Sequence, residues 1–292
     1  MSDREIHAGT RPQVAVATTQ GFPPRIAKRT RGYTHGQITR LMSPSDFGRL
    51  LKPFVFLDLF DSQGMPFPSN IVLHPHSGIA TVGYLTEGSV SYEDTSGATG
   101  LIHAGGMEWM RAGGGVWHGG GGGEPGRTRG FQLWIALPPE LELGSAESVY
   151  LPPDVIPHKG PARVLLGRLG AARSSIQTPA SINYVAVRLK TGERWSYRPP
   201  AKHAVLWTAV AMGSVLVPDE LQQGELVAFQ PFGGPLQFEA KSDAEFMVGS
   251  AVSHDHELVL GSHSVHTSAT ALREAEARIS EIRTRLIQQG RI

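Results

Sequence analysis

The sequence predicts an all-β fold: two β-barrels in tandem, followed by one C-terminal helix. Three observations carry that expectation. Short apolar segments bounded by Gly, Pro, Asp or Ser recur along most of the chain. The 35 glycines and 21 prolines among 292 residues favour many strands and turns over long helices. Only near the end does the apolar spacing lengthen to three and four residues, at Leu272, Ala275, Ile279, Ile282 and Leu286.

Taken in order, residues 1–36 show little apolar periodicity and end in the basic cluster Arg25, Lys28, Arg29 and Arg31. A solvated tail that packs against the body accounts for them better than a nucleic-acid arm, because one short cluster in a neutral protein attracts little. The first barrel is expected over residues 37–150. It opens with Phe54 to Asp58, and a loop from Asp61 to Ser69, carrying Gly64, Pro66 and Pro68, leads to the next strand. Further strands are read at 79–85, 90–92, 101–102, 107–110 and 131–136, which suggests an antiparallel sandwich or barrel. Leu137-Pro138-Pro139 stops the last of these, and residues 151–157, with Pro152, Pro153 and Pro157, read as a linker.

A second barrel is expected over residues 158–266, with strands near 162–166, 184–189, 203–210, 214–217, 225–229, 236–238 and 245–248. Residues 267–292 form the helix. Ser268 can cap it, Glu274–Arg278 and Glu281–Arg285 are favourable i,i+4 pairs, and Gly290 ends it. Its narrow stripe and terminal position favour docking onto the chain's own barrels over binding a partner.

Lys plus Arg number 27 against 26 Asp plus Glu, so no global field draws the chain to nucleic acid or a membrane surface. The absence of cysteine excludes disulfides and thiolate metal sites. No apolar run approaches the roughly 20 residues of a membrane span, and the N-terminus lacks the apolar core of a signal peptide. A soluble, cytoplasmic protein is expected.

The chemistry concentrates between His74 and His118. His74 and His76 lie two positions apart, so on a strand both imidazoles project to one side. Pro75 donates no ladder hydrogen bond and places the pair at the start or edge of its strand. His118 returns after a strand-turn-strand passage, and three neutral imidazoles from separated strands suit a divalent transition metal. The glycine runs Gly113–Gly115 and Gly119–Gly123 lack the Gly-Lys-Ser/Thr of a phosphate loop, and the second reads as a mobile flap over the metal. His254-Asp255-His256 has the spacing of a ligand pair but no third partner, and reads as a loop. Trp109, Trp117 and Trp134 lie in or beside the motif, where packing is the usual role of such aromatics. Trp117 fits either packing or a stacking platform; with Met110 it is the candidate wall of a substrate pocket.

The residues His74-Pro75-His76-Ser77-Gly78-Ile79-Ala80-Thr81-Val82-Gly83-Tyr84, Glu87-Gly88, Glu108-Trp109-Met110-Arg111-Ala112-Gly113 and Gln132-Leu133-Trp134-Ile135-Ala136-Leu137-Pro138 resemble the pirin family, a branch of the cupins. The resemblance is specific from about Phe54 to Pro138. It implies two tandem cupin (jelly-roll type) β-barrels, with His74, His76 and His118 as metal ligands in the first; the second holds no His-x-His that opens a strand and meets a later histidine, so no metal site is expected there. It further implies one divalent transition metal, most often iron, Fe(II); Mn, Cu, Ni or Co would also accept three imidazoles.

In pirins a glutamate two residues after the third histidine completes the ligand set, and here that position is Gly120. Glu124 and Glu108 are the candidates to replace it as ligand or base. The tail carries Gly-Ser-His-Ser-Val-His-Thr, with His263 and His266, where pirins have Gly-Pro-Phe-Val-Met-Asn-Thr, which supports a structural role there. Two functions follow from the resemblance. One is a quercetin 2,3-dioxygenase-type oxygenase acting on a small aromatic or flavonol-like substrate. The other is a catalytically weakened regulatory or interaction protein with a protein partner. Neither implies direct nucleic-acid binding.

Overall fold

Strand alternation sorts each half of the chain into two faces. A computed structural model describes residues 24–62 and 71–292; the predicted loop through Gly64, Pro66 and Pro68 and the first 23 residues of the predicted tail lie outside the described residues. The first half holds β1 (Ile26–Thr30), β2 (Tyr33–His35), β3 (Ile38–Met42), α1 (Phe47–Leu51), β4 (Phe54–Asp61), β5 (His74–His76), β6 (Ile79–Glu87), β7 (Ser89–Asp94), β8 (Thr99–His103), β9 (Met107–Arg111), β10 (Val116–Gly122), β11 (Arg129–Ala136) and β12 (Glu147–Leu151).

The second half holds β13 (His158–Lys159), β14 (Ala162–Leu166), β15 (Arg168–Leu169), β16 (Ala172–Arg173), β17 (Ile182–Leu189), β18 (Arg194–Tyr197), β19 (Val205–Met212), β20 (Ser214–Val217), β21 (Asp219–Gln222), β22 (Leu226–Phe229), β23 (Leu236–Ala240), β24 (Ala244–Ala251), β25 (Val259–Leu260), β26 (Val265–His266) and α2 (Ala269–Gln288).

A seven-stranded sheet, β12-β9-β6-β11-β4-β3-β2, packs against a four-stranded one, β5-β10-β7-β8. The second half repeats the plan, with β1-β22-β19-β24-β17-β14-β13 against β18-β23-β20-β21. These are the two tandem jelly-roll units with a C-terminal helix that the sequence predicts.

The period of two gives each large sheet two occupations. On β4, β6, β9 and β11, residues Leu57, Leu59, Val82, Tyr84, Trp109, Phe131 and Leu133 face one way, into a core shared with Leu166, Tyr184, Trp207 and Met247 of the other large sheet. Phe54 meets Trp207 edge to face across this seam, with ring centroids 5.4 Å apart. The intervening Asp58, Gly83, Glu108, Gln132 and Trp134 face the small sheet and line a cavity. In the second unit the corresponding interior is filled by apolar side chains, including Phe238 stacked on Phe246 at 4.8 Å.

Three expectations are revised. Residues 26–30, predicted as tail, are β1, paired to β22 of the second unit. The basic cluster supplies the reason: Arg29 and Arg31 both pair with the buried carboxylate of Glu225, Arg31 Nε at 3.0 Å. The run Gly119–Gly123 is no flap. Through Gly122 it is strand β10, laddered to β7 from His118↔Asp94 to Gly122↔Val90. Glycine serves close approach here, since a Cβ on Gly119 would lie 2.5 Å from the carbonyl oxygen of Val72. Finally, residues 261–267 turn back onto the first unit. Ser77 bridges to Ser264, Ser77 Oγ bonds Ser264 Oγ at 2.8 Å, and the buried Glu142 accepts from His266 Nδ1 and Thr267. Gly78, at φ +68°, lets Val265 come this close.

The helix α2 docks on the chain itself. Ser268 Oγ caps it by accepting from the Ala271 amide at 3.1 Å, and its stripe residues Ile279, Ile282 and Leu286 pack with Leu73 and Trp117.

Candidate metal centre

β5 is the edge strand of its sheet, as Pro75 requires, and pairs with β10 in the register His74↔His118, Pro75↔Trp117, His76↔Val116. Directly opposed residues share a face, so His118 joins His74 and His76 on the side facing the large sheet. Ring centroids are 4.9 Å apart for His74 and His76, 4.7 Å for His74 and His118, and 5.1 Å for His76 and His118. One nitrogen from each ring lies within 4.8 Å of the others.

The second nitrogen of each ring selects the tautomer. His118 Nδ1 lies 3.0 Å from Glu108 Oε1, His76 Nδ1 lies 2.9 Å from the carbonyl oxygen of His263, and His74 Nδ1 lies 3.4 Å from that of Val72. Carbonyl and ionised carboxylate oxygens only accept, so each Nδ1 carries the proton and each Nε2 presents a lone pair. His118 Nε2 is buried without a hydrogen-bond partner among the described residues. Burial, reinforced by the neighbouring imidazoles, lowers the pKa of His74 to about 4 and that of His76 well below the usual value. Imidazoles whose Nδ1 atoms all face acceptors, with an orphaned, buried Nε2 on His118, are the donor set a divalent transition metal takes, so the residues fit the ion.

Around them lies a cavity of about 530 Å³. Its aromatic wall runs inward from Arg40, whose guanidinium lies 4.1 Å from the Phe56 ring centre. Phe56 stacks on Trp134 at 4.0 Å, and Trp134 meets His76 edge-on at 4.9 Å. Arg40 also grips Asp58 through both carboxylate oxygens, NH2 to Oδ2 at 3.0 Å. Burial raises the pKa of Asp58, and the Arg40 hydrogen bond opposes that rise.

Of the two candidate carboxylates, Glu108 is in the cavity, holding His118, while Glu124 is not. The Glu124 side chain is 70% exposed and faces His103 at 3.9 Å, because β10 continues as a paired strand that carries it away. Trp117 and Met110 do not line the cavity. Alternation turns Trp117 to the opposite face of β10, where its Nε1 donates to the Ile279 carbonyl at 3.2 Å, and Met110 is fully buried between Ile79 and Val116. Gly120 does line the cavity and supplies no side chain.

Sequence reasoning missed Arg40, Asp58, Gln132 and His263 as cavity residues. The alternation of β4 and β11, with Asp58 and Gln132 interrupting apolar runs, was the available signal for two of them. His254 and His256 sit in a loop, as expected, with rings 5.2 Å apart.

The Pirin family profile matches residues 36–135. A Pseudomonas aeruginosa protein provisionally named quercetin 2,3-dioxygenase is 35% identical over 184 residues, 58% of this chain and 63% of that one; a pirin-like protein of Caulobacter vibrioides is matched over 44% of its length. The alignments therefore span about half to two thirds of these relatives. Among solved structures, a quercetin 2,3-dioxygenase from Acinetobacter baumannii superposes with a TM-score of 0.80 at 22% identity, over 89% of this chain and 98% of that one. An Escherichia coli pirin in complex with nickel(II) superposes with a TM-score of 0.60 at 18% identity, over 80% and 100%. The profile falls on the histidine-bearing unit, so residues 36–135 match the Pirin family, and the tandem jelly-roll fold is shared with these solved structures.

Proposed function

We propose that the chain is a mononuclear metal oxygenase of the quercetin 2,3-dioxygenase type, with His74, His76 and His118 holding the ion through Nε2. The observation that carries this reading is the convergence of three imidazoles whose Nδ1 atoms are all committed to acceptors. The names of the Pseudomonas and Acinetobacter proteins supply the substrate class, a flavonol-like aromatic. Iron(II) is the proposed metal, with manganese, copper, nickel and cobalt as alternatives. When bound, it brings an oxygenated aromatic and dioxygen together at open coordination positions.

The chain's own residues do the rest. Phe56 and Trp134 form an apolar wall for a flat ring, Gln132 offers an amide to its oxygens, and Arg40 places a cation at the same wall. Glu108 orients His118 and is the cavity carboxylate nearest the cluster to accept a substrate proton.

The test is oxygen uptake with quercetin by protein loaded in turn with each of the five metals, beside a His118→Ala control. Metal-dependent uptake lost in the control is expected. No turnover with any metal removes the enzyme reading. Gly120 favours what would then remain, a metal-binding interaction protein, because the cavity's two carboxylates are already engaged by Arg40 and His118.

A further inference from the structure

Three imidazoles leave a transition metal short of the four to six donors it takes. Gly120 offers none, Asp58 is held by Arg40 and Glu108 by His118. One further imidazole lies against the cluster. His263 lines the same cavity, with ring centroids 6.2 Å from His74 and 6.1 Å from His76. We propose that His263 is a fourth protein ligand of the site, an inference that rests on the metal reading above.

Two features make it a ligand in waiting. Its main chain is anchored, because its carbonyl oxygen accepts the His76 Nδ1–H at 2.9 Å and the next residue bridges to Ser77. The position of its Cα is therefore tied to a ligand already in place. Its side chain, by contrast, is exposed on a bend between β25 and β26 and makes no hydrogen bond of its own among the described residues. The ring centroid stands 6.1–6.2 Å from His74 and His76, against 4.7–5.1 Å among the three clustered rings, so the assignment requires the His263 side chain to turn toward them about its torsions.

Four imidazoles around one ion leave positions for an exogenous ligand if the ion is five- or six-coordinate. The ligand set is then assembled from β5, β10 and the returning C-terminal segment, and is complete only when that segment is docked on the first unit.

Copper(II) is the probe. Pulsed EPR of the copper-loaded full chain counts remote imidazole nitrogens, and copper titration gives the Kd. The expected result is four imidazoles in the wild type, three in His263→Asn and in His263→Phe, and a Kd weakened at least tenfold. Metal-free variants should melt with the wild type, since the ring is exposed and the backbone bond to His76 is retained. Three imidazoles in both proteins with an unchanged Kd would overturn the assignment of His263 while leaving the three-histidine site standing. A wild type that binds no copper, iron, manganese, nickel or cobalt would overturn both.

Discussion

A histidine whose Nδ1 faces an acceptor has no choice over which nitrogen it offers, and that constraint organises the site residue by residue. Glu108 shows it most clearly. It sits on a strand of the large sheet, reaches across the sandwich and holds His118, a cross-strand partner of His74. Removing the carboxylate frees the ring to turn and leaves Nδ1–H without a partner in a buried site, so Glu108→Ala should weaken metal binding about 10- to 100-fold. Glu108→Gln keeps an acceptor and should lose less. Competitive titration of both variants checks the order; equal affinity in all three proteins would mean the bond does not orient the ring. The histidines themselves were legible from spacing and family motif. The role of Glu108 was legible only as a candidacy, because what it touches depends on a strand pairing that the sequence does not write down.

At the scale of elements, β1 is the segment most exposed to loss. It is an edge strand far in sequence from its partner β22, and it is held by two guanidiniums on one buried carboxylate, Glu225. Burial pushes the Glu225 pKa up, but the hydrogen bonds from Arg29, Gln222 and Arg31 outweigh it, and the net shift is downward. A carboxylate with a lowered folded pKa stabilises above its unfolded pKa of about 4.5 and loses that contribution as pH falls below it.

Two outcomes follow for β1. Trypsin should cut at Arg25–Arg31 faster in Glu225→Gln than in wild type at pH 7. Protection of the β1 amides, taken relative to their intrinsic exchange rate at each pH, should also fall in the wild type on acidification below about pH 4.5, with little change in the variant. Unchanged cleavage in the variant would show that the ladder alone holds the strand. The basic cluster was visible in the sequence and was misread as a solvated arm, since its acidic partner lies some two hundred residues on. The run Gly119–Gly123 misled for a related reason. Glycine marks both mobility and close approach, and only the backbone that lies opposite, at Val72 and Ser89, decides between them.

For the whole molecule, the two units share one core. The apolar cluster runs from Phe54 and Leu57 through Tyr184 to Trp207 and Met247, and the buried Arg129–Glu245 pair joins the units beside it. Metal-free protein should therefore unfold in one calorimetric transition, and Gly249→Ala should lower it as a whole. A Cβ there would stand 2.2 Å from the Trp207 ring, and overpacking of this kind costs about 1–3 kcal/mol. Two resolved transitions would contradict a shared core. The tandem plan and nearly every long strand were readable from period-two runs and turn residues. The sharing of the core was not, because it depends on which face of each large sheet turns toward the other. Nor was the return of residues 261–267 to the first unit, since no local pattern announces a contact 187 residues away.

The claim beneath these levels is that three imidazoles on β5 and β10 meet one ion. Elemental analysis of the full chain, reconstituted with iron(II) without oxygen and desalted, tests it most directly beside His118→Ala. The account predicts one metal ion per chain in the wild type and a small fraction of that in the variant. A wild type without metal, or a variant that retains as much, would contradict it.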